Sequence, residues 1–175
     1  MAAQNLVANP GFETGELSAW TLGGAVDPML TGVLASSSAQ EGEYEFFSGP
    51  VETLGTLSQS VATTPGTSYL FSFWLDNTAT ESPNFFSVSW DTTTMSTLTD
   101  FREEGYQRYA FNVNATSNAT PIEFTFRHDD AFWYLDNLSV TAVAGTDVVP
   151  EPGTMTLLAT GLVALATQRR RRTIP

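Results

Sequence analysis

One histidine, His128, stands directly before Asp129-Asp130, and the chain holds no lysine or cysteine to share chemical work with it. A Ser-His-Asp set would have to be assembled around that imidazole, yet no Gly-x-Ser-x-Gly elbow exists. The adjacent acids Asp129/Asp130 and Glu103/Glu104 serve no better. Neighbours on a strand point to opposite faces, whereas a general acid and base must flank one bond. Without cysteine there is neither a thiol nucleophile nor a disulfide framework. His128 therefore reads as a loop or strand-end residue, and the chain as non-catalytic.

Aromatic residues offer a different chemistry. A sugar site needs an apolar platform for one face of a pyranose, flanked by hydrogen-bonding side chains. Trp74 leads, because period two in Tyr69-Leu70-Phe71-Ser72-Phe73-Trp74-Leu75 puts it opposite Phe71 and Phe73. Trp133, Trp20 and Tyr44 are weaker candidates near loops, and Arg127 with Glu123 shares the non-core face of a neighbouring strand. The competing reading of Trp74 is a second hydrophobic layer under a long loop.

Charge narrows the partners. The full chain carries 7 basic and 19 acidic side chains, a net charge of −12. Setting aside Arg169, Arg170, Arg171, Arg172 and Glu151 leaves residues 1–149 with three arginines against eighteen acids. Such a surface repels nucleic acid and anionic lipid, and favours metal cations and neutral partners such as sugars.

The elements that must position these residues are strands. A hydrophobic share of 42% and an aromatic share of 12% belong to a globular domain, and 175 residues suffice for one core. Asn5–Ala8 and Leu17–Thr21 read as short extended pieces around the turn Asn9-Pro10-Gly11-Phe12-Glu13-Thr14-Gly15, with Phe12 plugging the core. Residues 22–42 are rich in small residues and read as loop with at most a brief strand. Glu41–Phe47, Thr56–Val61 and Tyr69–Leu75 alternate. Phe86, Val88 and Trp90 form an inward face, with a hairpin to Met95–Leu98. Tyr109, Phe111 and Val113 form another, as do Ile122, Phe124 and Phe126, and finally Leu138 and Val140. No segment before Glu151 has helical periodicity, so the expectation is an all-β sandwich or barrel.

The C-terminus differs in kind. Pro150-Glu151-Pro152 is extended by its prolines. MTLLATGLVALAT (155–167) follows, helical by composition and short for a spanning helix, and then Arg169-Arg170-Arg171-Arg172. Arginines there would hold that end on the cytoplasmic side of a membrane. These three parts, in order, resemble the PEP-CTERM sorting signal of Gram-negative bacteria, recognised by exosortase, a membrane cysteine peptidase. The resemblance implies export, a transient inner-membrane anchor, cleavage near Pro-Glu-Pro, and release to or attachment at the cell surface or exopolysaccharide matrix. The opening MAAQNLVANPGFE lacks the charged and apolar regions of a signal peptide, which that route requires. Ala2-Ala3-Gln4 would suit the residues around a cleavage site.

NLVANPGFETGELSAWT at the start and FWYLDNLSVTAV at the end resemble the boundaries of calcium-bearing jelly-roll carbohydrate-binding modules. The middle, GPVETLGTLSQSVATTPGTSYLFSFWLDN, is similar to domains that recur in PEP-CTERM proteins. The first resemblance implies a galactose-binding-like jelly-roll β-sandwich in which a structural Ca2+ ties the first loop to the last strand. Its ligands would be Glu13, Asp136 and one of Glu41 or Glu43, with Glu43 preferred, joined by backbone carbonyls. Calcium takes six to eight oxygens, so carboxylates converging from distant sequence suit it. The closing strand departs from the family's two consecutive acids, carrying Asp136-Asn137.

Together these point to a jelly-roll domain over residues 1–143, a linker over 144–149 and a sorting tail over 150–175. The expected protein is non-catalytic, exported and associated with exopolysaccharide. The alternative is a structural, adhesin-like matrix protein that binds other proteins and no glycan.

Overall fold

The computed structural model describes residues 4–77, 79 and 81–143, and residues 1–143 form one compact unit. The linker and the sorting signal lie outside the described residues. Among the described residues there are ten strands: β1 Thr21–Gly24, β2 Thr31–Ala35, β3 Tyr44–Ser48, β4 Gly55–Ala62, β5 Ser68–Asn77, β6 Asn84–Trp90, β7 Thr93–Thr99, β8 Glu103–Asn114, β9 Ala119–His128 and β10 Trp133–Ala142. They form two five-stranded antiparallel sheets, ordered β1-β4-β9-β6-β7 and β2-β3-β10-β5-β8. Consecutive strands mostly change sheets, which is the jelly-roll pattern.

Alternation explains each strand. In β5, Tyr69, Phe71, Phe73 and Leu75 are buried while Leu70, Trp74 and Asp76 stay partly exposed on the other face. In β9, Ile122, Phe124 and Phe126 point in, with Glu123, Thr125 and Arg127 opposite. The facing side chains build an aromatic core: the Phe73 and Phe124 rings meet edge to face across the sheets at 5.2 Å and 89°. Phe12 is the expected plug. It is fully buried against Trp20 and Phe46 at 5.7 and 5.6 Å, and its φ of 57° shows the backbone bending to deliver it.

Three expectations need correction: first, Leu17–Trp20 is a turn rather than an extended piece, closed by Trp20 N donating to Leu17 O at 2.9 Å with Ala19 at φ 71°. Residues 22–42 hold two strands, β1 and β2, where the sequence suggested mostly loop; small residues hide the pattern, and each lies at a sheet edge with one neighbour. Asn5–Ala8 forms no regular strand, but it runs along β10. Leu6 N donates to Val140 O at 2.9 Å, and the Asn5 side chain bonds both Leu138 O and Val140 N. That side chain satisfies ladder groups that a strand would otherwise take.

Phe124 touches Trp20, Phe71, Phe73, Phe86 and Phe126. Phe124→Ala should therefore cost about 3–5 kcal/mol. In chemical denaturation the midpoint should fall with the slope unchanged; an unaltered midpoint would refute this account of the core.

Candidate functional site

The first loop, the segment before β3 and the closing strand meet at two carboxylates. Asp136 is fully buried; its Oδ2 accepts from Glu41 N at 3.0 Å and its Oδ1 from Asn137 N at 2.6 Å. Glu13 reaches the same segment, accepting from Glu43 N at 3.0 Å and Tyr44 N at 3.1 Å. Two glycines make room. A Cβ on Gly11 would sit 3.5 Å from Asp136 Oδ1 and 3.9 Å from Glu13 Oε1, so both carboxylates border the space left by that missing side chain. A Cβ on Gly42, whose φ is +81°, would run into the Glu13 carboxylate.

Burial pushes the Asp136 carboxyl up to about 6, against three backbone N–H donors that lower it, and the nearby Glu13 charge adds to the rise. These are hard oxygen donors around a like-charge pair, the kind of set that suits calcium. Among the described residues no three acidic or histidine side chains are gathered at metal-holding spacing, so backbone oxygens would have to complete any shell. Glu43 enters through its backbone N–H and its side chain is exposed. The Glu41 carboxylate instead accepts from Asn137 Nδ2 at 2.6 Å, tying that segment to the closing strand.

Asn137, at φ 46°, sits where the β10–β5 register shifts between Asp136 and Ser139. This bulge reverses the alternation along β10. Leu138 and Val140 point inward as expected, and so do Trp133 and Leu135, while Tyr134 and Asp136 share the outer face with their cross-strand partners Asp76 and Trp74. Trp133 is thus corrected from glycan platform to core: it is fully buried, packed on Phe86 at 5.5 Å, with Nε1 donating to Arg127 O.

Trp74 is half-buried on the outer face of the second sheet, opposite Arg108 on β8 and Asp136 on β10. Around it lie residues the sequence reading passed over. Tyr134 pairs across strands with Asp76 and with Phe47. Phe132 lies between Phe47 and Tyr134, at 5.5 and 6.5 Å. Tyr106 Oη donates to Glu45 Oε2 at 2.7 Å, and Arg108 Nη2 to Ser72 Oγ at 3.1 Å. Period two puts Asp76 on the same face as Trp74, but sheet order alone shows which strands flank β5.

Arg127 and Glu123 do not join this group. They lie on β9, whose partners are β4 and β6 in the first sheet, so the core separates them from Trp74. Arg127 forms a two-pronged pair with Asp129, at 2.9 and 2.6 Å. That contact, then the Glu52 backbone N–H, holds the Asp129 carboxyl down at about 2. Trp20 is buried, with Nε1 donating to Asn9 O, and the half-buried Tyr44 ring packs at Gly15. His128 is fully buried, its Nε2 3.0 Å from Asn77 Oδ1. Since Asn77 Nδ2 donates to Phe101 O, Oδ1 must accept and the imidazole must donate. Burial lowers its pKa, and no face is left for a substrate.

The two aspartates should titrate in opposite senses. With the folded Asp136 pKa at about 6 against 3.8 unfolded, its protonation favours folding below 3.8, and that stability is lost as pH rises through about 6. Asp129, depressed to about 2, adds stability above 3.8 that is lost as pH falls towards 2. Carboxyl NMR in chelator should resolve one titration near 6 and one near 2; two ordinary titrations near 4 would contradict this geometry. Gly42→Ala should destabilise by about 1–3 kcal/mol, the cost of a strained left-handed residue plus displacement of Glu13; a neutral result in a thermal melt would show that Glu13 is not held there.

Residues 148–172 match the PEP-CTERM protein-sorting motif. No curated protein matches the sequence. Among solved structures, the domain is similar to TmCBM61 in complex with β-1,4-galactotriose, at a TM-score of 0.63 and 21% identity, covering 81% of this chain and 100% of that one. It is also similar to the CBM22-1 xylan-binding domain of Paenibacillus barcinonensis Xyn10C, with a TM-score of 0.56, 15% identity and coverage of 81% and 96%. The enzymatically active domain of bacteriophage CBA120 tailspike protein 4 scores 0.61 at 16% identity, over 79% of this chain and 21% of that chain. At these identities the likeness establishes the fold. The chain thus joins a β-sandwich with the fold of carbohydrate-binding modules to a C-terminal PEP-CTERM protein-sorting motif.

Proposed function

We propose that the protein is an exported, non-catalytic surface or matrix component that holds exopolysaccharide against the outer face of its second sheet. The observation that carries this reading is the side-chain row on that face: Phe47, Tyr134 and Trp74 supply apolar platforms, with Asp76 and Arg108 beside them. Four adjacent strands, β3, β10, β5 and β8, contribute, giving a surface roughly 14 Å across from interstrand spacing alone. A sugar chain laid on it would stack its apolar faces on the rings and meet carboxylate and guanidinium partners at its edges. The known ligands of the structural neighbours, a galactotriose and a xylan, are compatible with this use of the fold.

Two further parts belong to the proposal. Glu13 and Asp136 would hold a structural calcium with backbone oxygens, and that ion would neutralise their mutual repulsion and lock the first loop to β10. The sorting motif would be processed by an exosortase after a transient stay in the inner membrane, leaving the sandwich outside the cell. The burial of His128, with its ring held by Asn77, supports binding over catalysis.

The test is Trp74→Ala. Its half-buried position predicts a small change in melting temperature, while affinity for the cell's own exopolysaccharide should fall about tenfold or more, equivalent to 1.4 kcal/mol. Unchanged retention on the polysaccharide by a folded variant would reject the site.

A further inference from the structure

We propose that the Trp74 face takes a glycan bearing carboxylate groups, with Arg108 as the residue that selects it over a neutral chain. This rests on the glycan-binding reading above and adds the charge of the ligand to it. Residues 1–149 hold three arginines, Arg102, Arg108 and Arg127, among eighteen acids. With acids in such excess, an arginine meets a carboxylate unless its position keeps acids away. Arg102 pairs with Glu104, and Arg127 with Asp129. Arg108 pairs with none of the described carboxylates, and its Nη2 donates to the neutral Ser72 Oγ at 3.1 Å. Ser72 is only 4% exposed, so the hydroxyl that accepts is a fixed point and orients the guanidinium in advance. Arg108 itself is exposed, and Ser72 occupies one of its five N–H donors. The others suit the two oxygens of a carboxylate, which a planar guanidinium grips as a fork.

The sheet sets Arg108 beside the platform and apart from the acids of the same face. It lies directly across from Trp74 in the β5–β8 ladder, and Ser72 lies two residues further along β5. Asp76 lies two residues the other way. Ser72 and Asp76 are thus four residues of extended chain apart, about 13 Å, beyond the screening length of about 8 Å at physiological salt. Glu45 is bound to Tyr106, on the Asp76 side of Arg108. Asp136, across from Trp74 on β10, is fully buried and held by the backbone N–H groups of Glu41 and Asn137. Beyond Trp74 towards Ser72, the residues of this face are Ala110, Ser139, Leu70, Asn112 and Thr141, none of them charged. A sugar stacked on Trp74 therefore meets Arg108 at one edge in neutral surroundings. The repulsion of the acidic domain as a whole is long-range and falls with salt, whereas the contact with Arg108 is short-range.

The experiment titrates the full chain, in non-ionic detergent at physiological salt, with two probes: a β-1,4-linked oligoglucuronate and the same oligomer with its carboxylates reduced to alcohols. The probes differ in the carboxyl group alone. The acidic oligomer should bind about tenfold or more tightly than the reduced one. Arg108→Gln should erase that ratio. Arg108→Lys keeps the charge and loses the fork, so it should give an intermediate ratio, and it decides the matter if the glutamine variant fails to fold. Equal affinities or a preference for the reduced oligomer in the unaltered protein would overturn the carboxylate proposal alone, provided that Trp74→Ala still weakens binding of the reduced oligomer. An undiminished ratio in either folded Arg108 variant would overturn it likewise. Failure of both oligomers to bind would overturn the glycan-binding reading as well.

Discussion

The structure depends on how a fully buried carboxylate, Asp136, is kept in place. A charge taken out of water without partners is very costly, so the chain must bring donors to it. It does so from two directions, Glu41 N from the segment before β3 and Asn137 N from the next residue of its own strand. Asn137 itself adopts φ 46° where the β10–β5 register shifts, and this is the bulge. From that bulge follow the inward turn of Trp133 and the outward turn of Tyr134. The first loop closes over the same point: Pro10 O accepts from Leu138 N, and Glu13 accepts from the backbone at Glu43 and Tyr44. The first loop, the segment before β3 and the closing strand are joined by contacts to backbone groups.

The sandwich then sorts chemistry by face. The second sheet presents aromatic rings and acids around Trp74, whereas the first presents hydroxyls and the Arg127–Asp129 pair. One acid is pushed up and the other held down because one lies in a desolvated junction beside another carboxylate, while the other faces a guanidinium. Like residue types thus acquire different behaviour from their surroundings alone.

Much of this was legible in the sequence because a half-buried strand writes its two faces as alternation. Phe71 and Phe73 against Trp74, Phe124 and Phe126 against Arg127, and the isolated Phe12 in a polar turn all read correctly for that reason. What failed to read has physical causes too. β1 and β2 are made of small residues at sheet edges, where little burial is needed. Trp133 was taken for a loop-side candidate, whereas the bulge at Asn137 puts it on the inner face with Leu138 despite opposite parity, which period two cannot see. Arg127 was placed beside Trp74 because sequence shows which face a residue takes within its strand and leaves open which sheet the strand joins. Tyr106 and Glu45 meet across several strands, a contact that only topology creates.

The proposed calcium clasp at the junction of Glu13 and Asp136 is tested most directly by a thermal melt in chelator and in excess calcium. A ligand that binds only the folded state adds about 2.7 kcal/mol at a hundredfold excess over its dissociation constant. For a chain of this size that corresponds to an upward shift of roughly 5–10 °C. The account predicts such a rise, lost in Glu13→Gln and in Asp136→Asn. Identical melting in calcium and in chelator would contradict it, leaving the two carboxylates as hydrogen-bonded supports of the loop and nothing more.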